Sequence, residues 1–143
     1  MAPRIVILED IHADGIELMR EWADVSIQLG LPRDQLLAST ANFDAIVVKS
    51  VTAVDEELYE AASQLRVVGR AGTGTDNIDL EAAARRDLPV VTVPTGNTIS
   101  AAEFTVALML TLTRRIAEAG RAVAGGDFRR HLLEGRELST LTV

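Results

Sequence analysis

Short, unbroken apolar runs alternate with helix-period segments along most of the chain. Residues 4–8 and 44–49 read as strands buried on both faces, as do 65–69 and 89–93. Residues 25–29 alternate apolar with polar and form the remaining strand. Between them, 15–23 forms a helix with Ile16, Leu18, Met19 and Trp22 on its inner side, and 32–39 a short helix with Pro32 near its first turn. Asp55 and Asp79 stand where N-caps belong, ahead of helices over 56–62 and 80–86. This alternation predicts an α/β fold with a parallel sheet covered on both faces. Right-handed crossovers leave the flavodoxin-like strand order 2-1-3-4-5 as the leading topology.

Past residue 97 the pattern changes. Ser100 and Glu103 match the S-x-x-E capping box, and one long helix is expected from about 101 to 124. At 1.5 Å per residue it would run roughly 36 Å, too long for a crossover in so small a sheet. Residues 104–112 are apolar on nearly all sides, so this helix needs cover beyond its own domain, and association through 101–124 is expected. Gly125-Gly126-Asp127 ends it. An Arg-rich stretch follows, and 138–143 reads as the opening of another strand.

Composition narrows the classes. A chain of 143 residues is one domain with an appendage, and 48% hydrophobic residues suffice for a core built from Val, Leu, Ile and Ala, since aromatics are only 3%. Without cysteine there is no disulfide, thiolate site or Cys nucleophile, and no metal-ligand cluster is visible. The first ten residues lack the apolar run of a signal peptide, and no segment has ~18 consecutive apolar residues. A cytoplasmic protein with no membrane span is expected. The net charge of -7 sits in the first part: residues 1–60 carry twelve acidic and four basic side chains, residues 61–143 nine and ten. No block of like charge suggests a nucleic-acid or lipid surface.

The candidate chemistry gathers at strand ends. Gly72-Thr73-Gly74-Thr75-Asp76-Asn77 follows a strand but reads G-x-G-x-x-N. It lacks the third glycine of a dinucleotide loop, and the next helix is delayed to Asp79. It fits better a nest of backbone N–H groups for a carboxylate, with glycines permitting positive φ, or a plain tight turn. Lys49 and Arg70 end neighbouring strands, where two cations could hold an anionic substrate or simply be solvated. Asn97 could hydrogen-bond a carboxylate or a cofactor, or serve only as a helix-entry turn. Glu9, Asp10 and Lys49 do not make a phosphorylation receiver, because strand three ends in Lys49 rather than an aspartate and strand five in Val93-Pro94. His12 and His131 have no partner at a spacing that suggests a relay and are expected at the surface.

Three segments together carry a resemblance: Val47-Val48-Lys49-Ser50, the run 65–83 around Arg70-Ala71-Gly72-Thr73-Gly74-Thr75-Asp76-Asn77, and Pro94-Thr95-Gly96-Asn97-Thr98-Ile99-Ser100-Ala101-Ala102-Glu103. Over nearly its whole length the chain resembles the N-terminal part of the NAD-dependent D-2-hydroxyacid dehydrogenases, in their phosphoglycerate branch. The resemblance implies a substrate-binding domain over about 1–97, lacking the family's C-terminal return segment, and over 98–143 a long helix opening a nucleotide-binding domain and helping to form a homodimer. It implies a small anionic 2-hydroxy or 2-oxo acid as substrate, NAD as cofactor and a role in serine biosynthesis. Arg70 would contact the substrate's phosphate or carboxylate. The backbone of Thr73 and Gly74 would receive the carboxylate, Thr73 would also touch the cofactor, and Asn97 would line the crevice.

The chain departs from that pattern in three ways. Lys49 stands where the branch usually has arginine, which keeps the charge but loses the planar fork. Ala53 replaces another frequent basic residue. The family's G-x-G-x-x-G loop and its catalytic arginine, glutamate and histidine have no counterpart in these 143 residues. The chain is therefore expected to bind the acid but not NAD tightly, with no catalytic residue of its own and no hydride transfer alone. A non-catalytic pairing module and a stand-alone small-acid binding domain are the other two readings.

Overall fold

The computed structural model describes residues 1–142 and divides into two compact units, Met1–Gly96 and Asn97–Val143. In the first, β1 (Arg4–Ile7), β2 (Asp24–Ile27), β3 (Ala45–Val48), β4 (Val67–Arg70) and β5 (Val90–Val91) form one sheet in the order β2-β1-β3-β4-β5. Every pairing is parallel. The connections are α1 (Ala13–Arg20), α2 (Arg33–Thr40), α3 (Glu56–Ala61) and α4 (Leu80–Arg85). The expected α/β class and strand order are those observed.

The apolar runs explain the sheet's centre. Val6, Ile7, Ile46, Val48 and Val68 are fully buried, as β-branched residues are when a parallel sheet is covered on both faces. Leu36, Leu58, Tyr59, Ala82 and Ala83 close over it from α2, α3 and α4. The expected caps form: Asp55 Oδ1 accepts from Leu58 N at 3.1 Å, and Asp79 Oδ1 from Ala82 N at 2.8 Å. Arg33 joins α2 to α3 by pairing with Asp55 and Glu57 and donating to the Ala53 carbonyl at 2.9 Å.

The edge of the sheet departs from expectation. Ile16 and Met19 of α1 are half-buried, but Leu18 and Trp22 are 62% and 57% exposed. This helix packs on β2, an edge strand, which has too little surface to cover its whole apolar side. Strand β5 is shorter than its apolar run because the chain leaves the sheet after Val91. Val93 N then bonds to the Gly72 carbonyl at 2.9 Å instead.

The second unit corrects the single long helix. It holds α5 (Thr98–Thr113) and α6 (Ile116–Ala124), broken at Arg115, which is left-handed with φ 52°. Inside this unit, the Thr113 carbonyl accepts the Arg136 N–H at 2.8 Å. A Cβ on Gly135 would stand 2.6 Å from that same carbonyl oxygen, so only glycine lets the returning chain come this close. Arg115 also donates to the Leu132 carbonyl at 2.8 Å. Contacts from 17 or more residues away thus compete with the helix's own ladder, and the periodicity of 101–124 carries no trace of them.

The capping box does not form either. The helix starts three residues early, and Ser100 Oγ donates to the Asn97 carbonyl at 3.1 Å from inside the first turn. Gly126 ends α6 as expected, with φ 78° and a Schellman pair from Asp127 N to Ala122 O and Gly126 N to Val123 O. Leu138–Thr140 forms a 3-10 turn rather than a strand, and among the described residues no strand pairs with it; Val143 lies outside the described residues. Among the described residues, no helix is long and apolar enough to cross a membrane.

Two substitutions check this description. Ile46→Ala, at a fully buried position of β3, is expected to cost about 2–5 kcal/mol in urea unfolding. Asp87 ends α4 in the left-handed region, with φ 52° and the Schellman bonds Leu88 N to Ala83 O and Asp87 N to Ala84 O. Asp87→Gly relieves that conformation and is expected to raise stability by about 0.5–1 kcal/mol.

Candidate functional site

Parallel strands present their carboxyl ends, and the loops that follow them, along one edge of the sheet. Ligands of doubly wound sheets bind at this edge. Register sets Val48 of β3 beside Arg70 of β4, so Lys49 and the turn 71–77 leave adjacent strand ends. The two exit loops then run side by side. Ala71 N bonds to the Val48 carbonyl at 2.8 Å, and Asn77 Nδ2 to the Thr52 carbonyl at 2.7 Å. Val54 N bonds to the Asn77 carbonyl and Asp79 N to the Val54 carbonyl, each at 2.8 Å.

Arg70 folds back over its own turn. A Cβ on Gly72 would collide with Nη1 of Arg70, and one on Gly74 would stand 3.6 Å from Nη2 and 3.0 Å from Asp76 Oδ2. Neither glycine has positive φ, which corrects the expected reason for them. At Gly72 the Arg70 guanidinium occupies the place of a side chain, and at Gly74 the Asp76 carboxylate stands closest to it. Thr73 Oγ1 donates to the Val93 carbonyl at 3.1 Å and ties the turn to the segment after β5. Among the described residues the Gly74 N–H donates to no protein group.

The Arg70 guanidinium is half-buried and forms no ion pair or hydrogen bond among the described residues. Its Nε and Asn77 Oδ1 are both buried without a partner. Polar atoms left unspent at one edge are what a ligand or water would satisfy.

Lys49 lies elsewhere on this edge. It lines a cleft of ≈ 600 Å³ at the carboxyl ends of β1 and β3, together with Leu8, Glu9, Leu29, Arg33 and Asp55. The strand order reverses there, between β1 and β3. Arg70, Thr73 and Gly74 are therefore gathered on one turn, and Lys49 stands at the next strand end, lining a cleft that the turn does not line. Asn97 belongs to the second unit, as the residue before α5, where its side chain makes no capping bond.

The feature that residue reasoning missed is Glu9. Its carboxylate collects four successive backbone N–H groups. Lys49 N and Thr52 N donate to Oε1 at 3.0 and 2.9 Å, Ser50 N to Oε2 at 3.1 Å, and Val51 N forks to both oxygens. Burial alone would raise the Glu9 pKa, but the bonds from Thr52, Lys49, Val51 and Ser50 together outweigh it and hold it below the usual 4.5. The only sequence signal was an acidic residue directly after the first strand.

The turn 72–77 is not a dinucleotide phosphate loop. Gly72-Thr73-Gly74 is filled by the Arg70 side chain, and α4 opens only at Leu80, so no helix N-terminus faces that turn. His12 Nδ1 is 3.6 Å from Asp14 Oδ2, but both side chains are more than four-fifths exposed, which makes them a surface pair. Among the described residues, no three His, Asp or Glu side chains could share a metal ion.

Comparison with known proteins gives one family. Residues 5–140 match the sequence profile of "D-isomer specific 2-hydroxyacid dehydrogenase, catalytic domain". The D-3-phosphoglycerate dehydrogenases of Archaeoglobus fulgidus and Methanocaldococcus jannaschii are 42% and 38% identical over 94% of this chain. In both cases the chain spans 26% of the relative's length, about a quarter. A solved protein of Thermus thermophilus matches 94% of this chain and 45% of its own, with TM-score 0.86 and 27% identity. The NAD-bound 3-phosphoglycerate dehydrogenase of Entamoeba histolytica shares the fold, with TM-score 0.75 over 96% of this chain and 44% of its own, at 23% identity.

Two outcomes test this geometry. Gly72→Ala is expected to displace the Arg70 guanidinium, the far end of a flexible side chain, so the melting temperature changes little while the Arg70 Nε–H resonance shifts. For Glu9 the folded pKa is depressed, so its contribution to stability is complete above the ordinary 4.5 and is lost as pH falls through the folded value. The stability gap between the wild type and Glu9→Gln is expected to be widest near neutral pH and to close at low pH, in urea melts across that range.

Proposed function

Because the chain belongs to the D-isomer specific 2-hydroxyacid dehydrogenases, we propose that its first unit is the substrate side of such an enzyme. It binds a small 2-hydroxy or 2-oxo acid of the phosphoglycerate type at Arg70, the Thr73–Gly74 backbone and Lys49. One observation carries this reading: a half-buried guanidinium that pairs with no anion among the described residues stands at the ligand-binding edge, near a Gly74 N–H that donates to none of them. Arginine presents a fork that matches a carboxylate or phosphate, and Lys49 adds a compact charge one strand away.

Chemistry follows from that placement. NAD, when bound to an enzyme of this family, takes up or supplies the hydride at carbon 2. The residues described here orient the acid: Arg70 and the turn fix one anionic end, and Lys49 the other. Thr73 is the one residue of this set proposed to touch the cofactor. The 143 residues alone are proposed to bind the acid without turning it over, in a cytoplasmic enzyme of serine biosynthesis.

The second unit supports a further reading, pairing of two copies through α5. Phe104, Leu108 and Leu112 are 65%, 52% and 80% exposed, more apolar surface than one helix leaves uncovered without a partner. Light scattering is expected to show a dimer, and Leu108→Glu to shift it to monomer.

Titration of the ¹⁵N-labelled chain with D-3-phosphoglycerate tests the first reading. Amide resonances of 69–77 and Lys49 are expected to move, and Arg70→Ala to weaken binding about 10–100-fold. Unmoved resonances at 69–77 in the wild type would overturn it, as would NADH oxidation with phosphohydroxypyruvate by this chain alone.

A further inference from the structure

The Glu9 carboxylate holds four successive amides, from Lys49 to Thr52. Glu9 leaves the end of β1 and reaches a segment forty residues away in sequence. That segment begins with Lys49, and its next three amides turn around the same two oxygens. A run of N–H groups converging on one point is an anion nest, and here the protein fills it with its own anion. The segment has few other ties. Asn77 Nδ2 holds the Thr52 carbonyl, and the Val54 amide is the next to join the neighbouring loop. Residues 49–51 are exposed and have no strand partner beyond Val48.

We propose that Glu9 is a positioning residue that fixes Lys49 at the ligand-binding edge by closing the 49–52 nest from beneath. The proposal rests on the reading of Lys49 as a ligand for the acid's anionic group. Without Glu9, four adjacent amides lose their common acceptor and turn toward water, and Lys49 loses the backbone geometry that aims it. The flexible lysine side chain then orders itself at binding and loses affinity, which a pre-set loop avoids. Glu9 therefore acts through Lys49 and needs no contact with the substrate. Its own negative charge is spent on the amides, so it competes little for the lysine. The other charged groups lining the same cleft are Asp10 beside it, Lys49 above, Arg33 at the start of α2 and Asp55 capping α3. Arg33 and Asp55 already pair with each other, which leaves Asp10 as the nearest carboxylate that could substitute.

A double-mutant cycle with D-3-phosphoglycerate as probe separates positioning from structure. Glu9→Gln, nearly isosteric but uncharged, is expected to weaken binding about 3–10-fold in the wild-type background and not at all in the Lys49→Ala background. A merely structural role would weaken both backgrounds equally and would overturn the proposal. So would an unchanged affinity in Glu9→Gln alone. Should that variant fold poorly, the wild-type chain carries the test. The amides of 49–52 are expected to titrate together at one pH below the ordinary carboxylate value, with probe affinity falling in step. Affinity that stays flat through that joint titration overturns the proposal. Failure of the underlying site reading looks different: the wild type then ignores the probe at residues 49 and 70–74, while amides 49–52 still titrate as one group.

Discussion

The register between β3 and β4 is the constraint from which the arrangement at the binding edge follows. Pairing Val48 with Arg70 places the ends of two buried strands level with each other. The loops that leave them must then satisfy their own backbone groups at the same height. They do so by bonding to one another, through Ala71 to Val48, Asn77 to Thr52, and the exchange between Val54 and the 77–79 backbone. A slip of one residue would reverse which side chains meet the helices and carry Arg70 to the other face. The fully buried Ile46, Val48 and Val68 make that slip costly, so burial at the centre holds the chemistry at the edge.

Within that frame, two cations are managed by opposite means. Arg70 lies over a turn whose glycines clear room for it, and its charge has no protein partner among the described residues. Lys49 is held through its backbone, because Glu9 takes the amides that begin with its own. One cation is placed by removing side chains beneath it and the other by anchoring the main chain. Neither device resembles a dinucleotide loop, although the first shares its glycine spacing.

The second unit shows a different balance. Helix α5 has no buried residue, whereas the break after Thr113 is stabilised in detail by Gly135, Arg136 and Arg115. The helix packs on α6 and the 138–140 turn, yet Phe104, Leu108 and Leu112 stay largely exposed. Strand–helix alternation alone could not show this, because the period of 101–124 is equally that of one helix or two.

Local pattern was enough to establish the strand order, the Asp55 and Asp79 caps, the glycine stop after α6 and the family, because each is written in residues close together in the chain. Buried β-branched runs alternating with helices fit a covered parallel sheet, and Asp before a helix commonly caps it. Lys49, Arg70, Thr73, Gly74 and Asn97 could be singled out as candidates from their segments alone. Their arrangement was not. The reason for Gly72 and Gly74, the break at Arg115, the exposure of Leu18 and Trp22, and the Glu9 nest all depend on partners distant in sequence or on where a strand falls in the sheet. Glu9 and Thr52 are forty-three residues apart. Only the closing of β1 against β3 brings that carboxylate to those amides, and no local preference of either segment contains it.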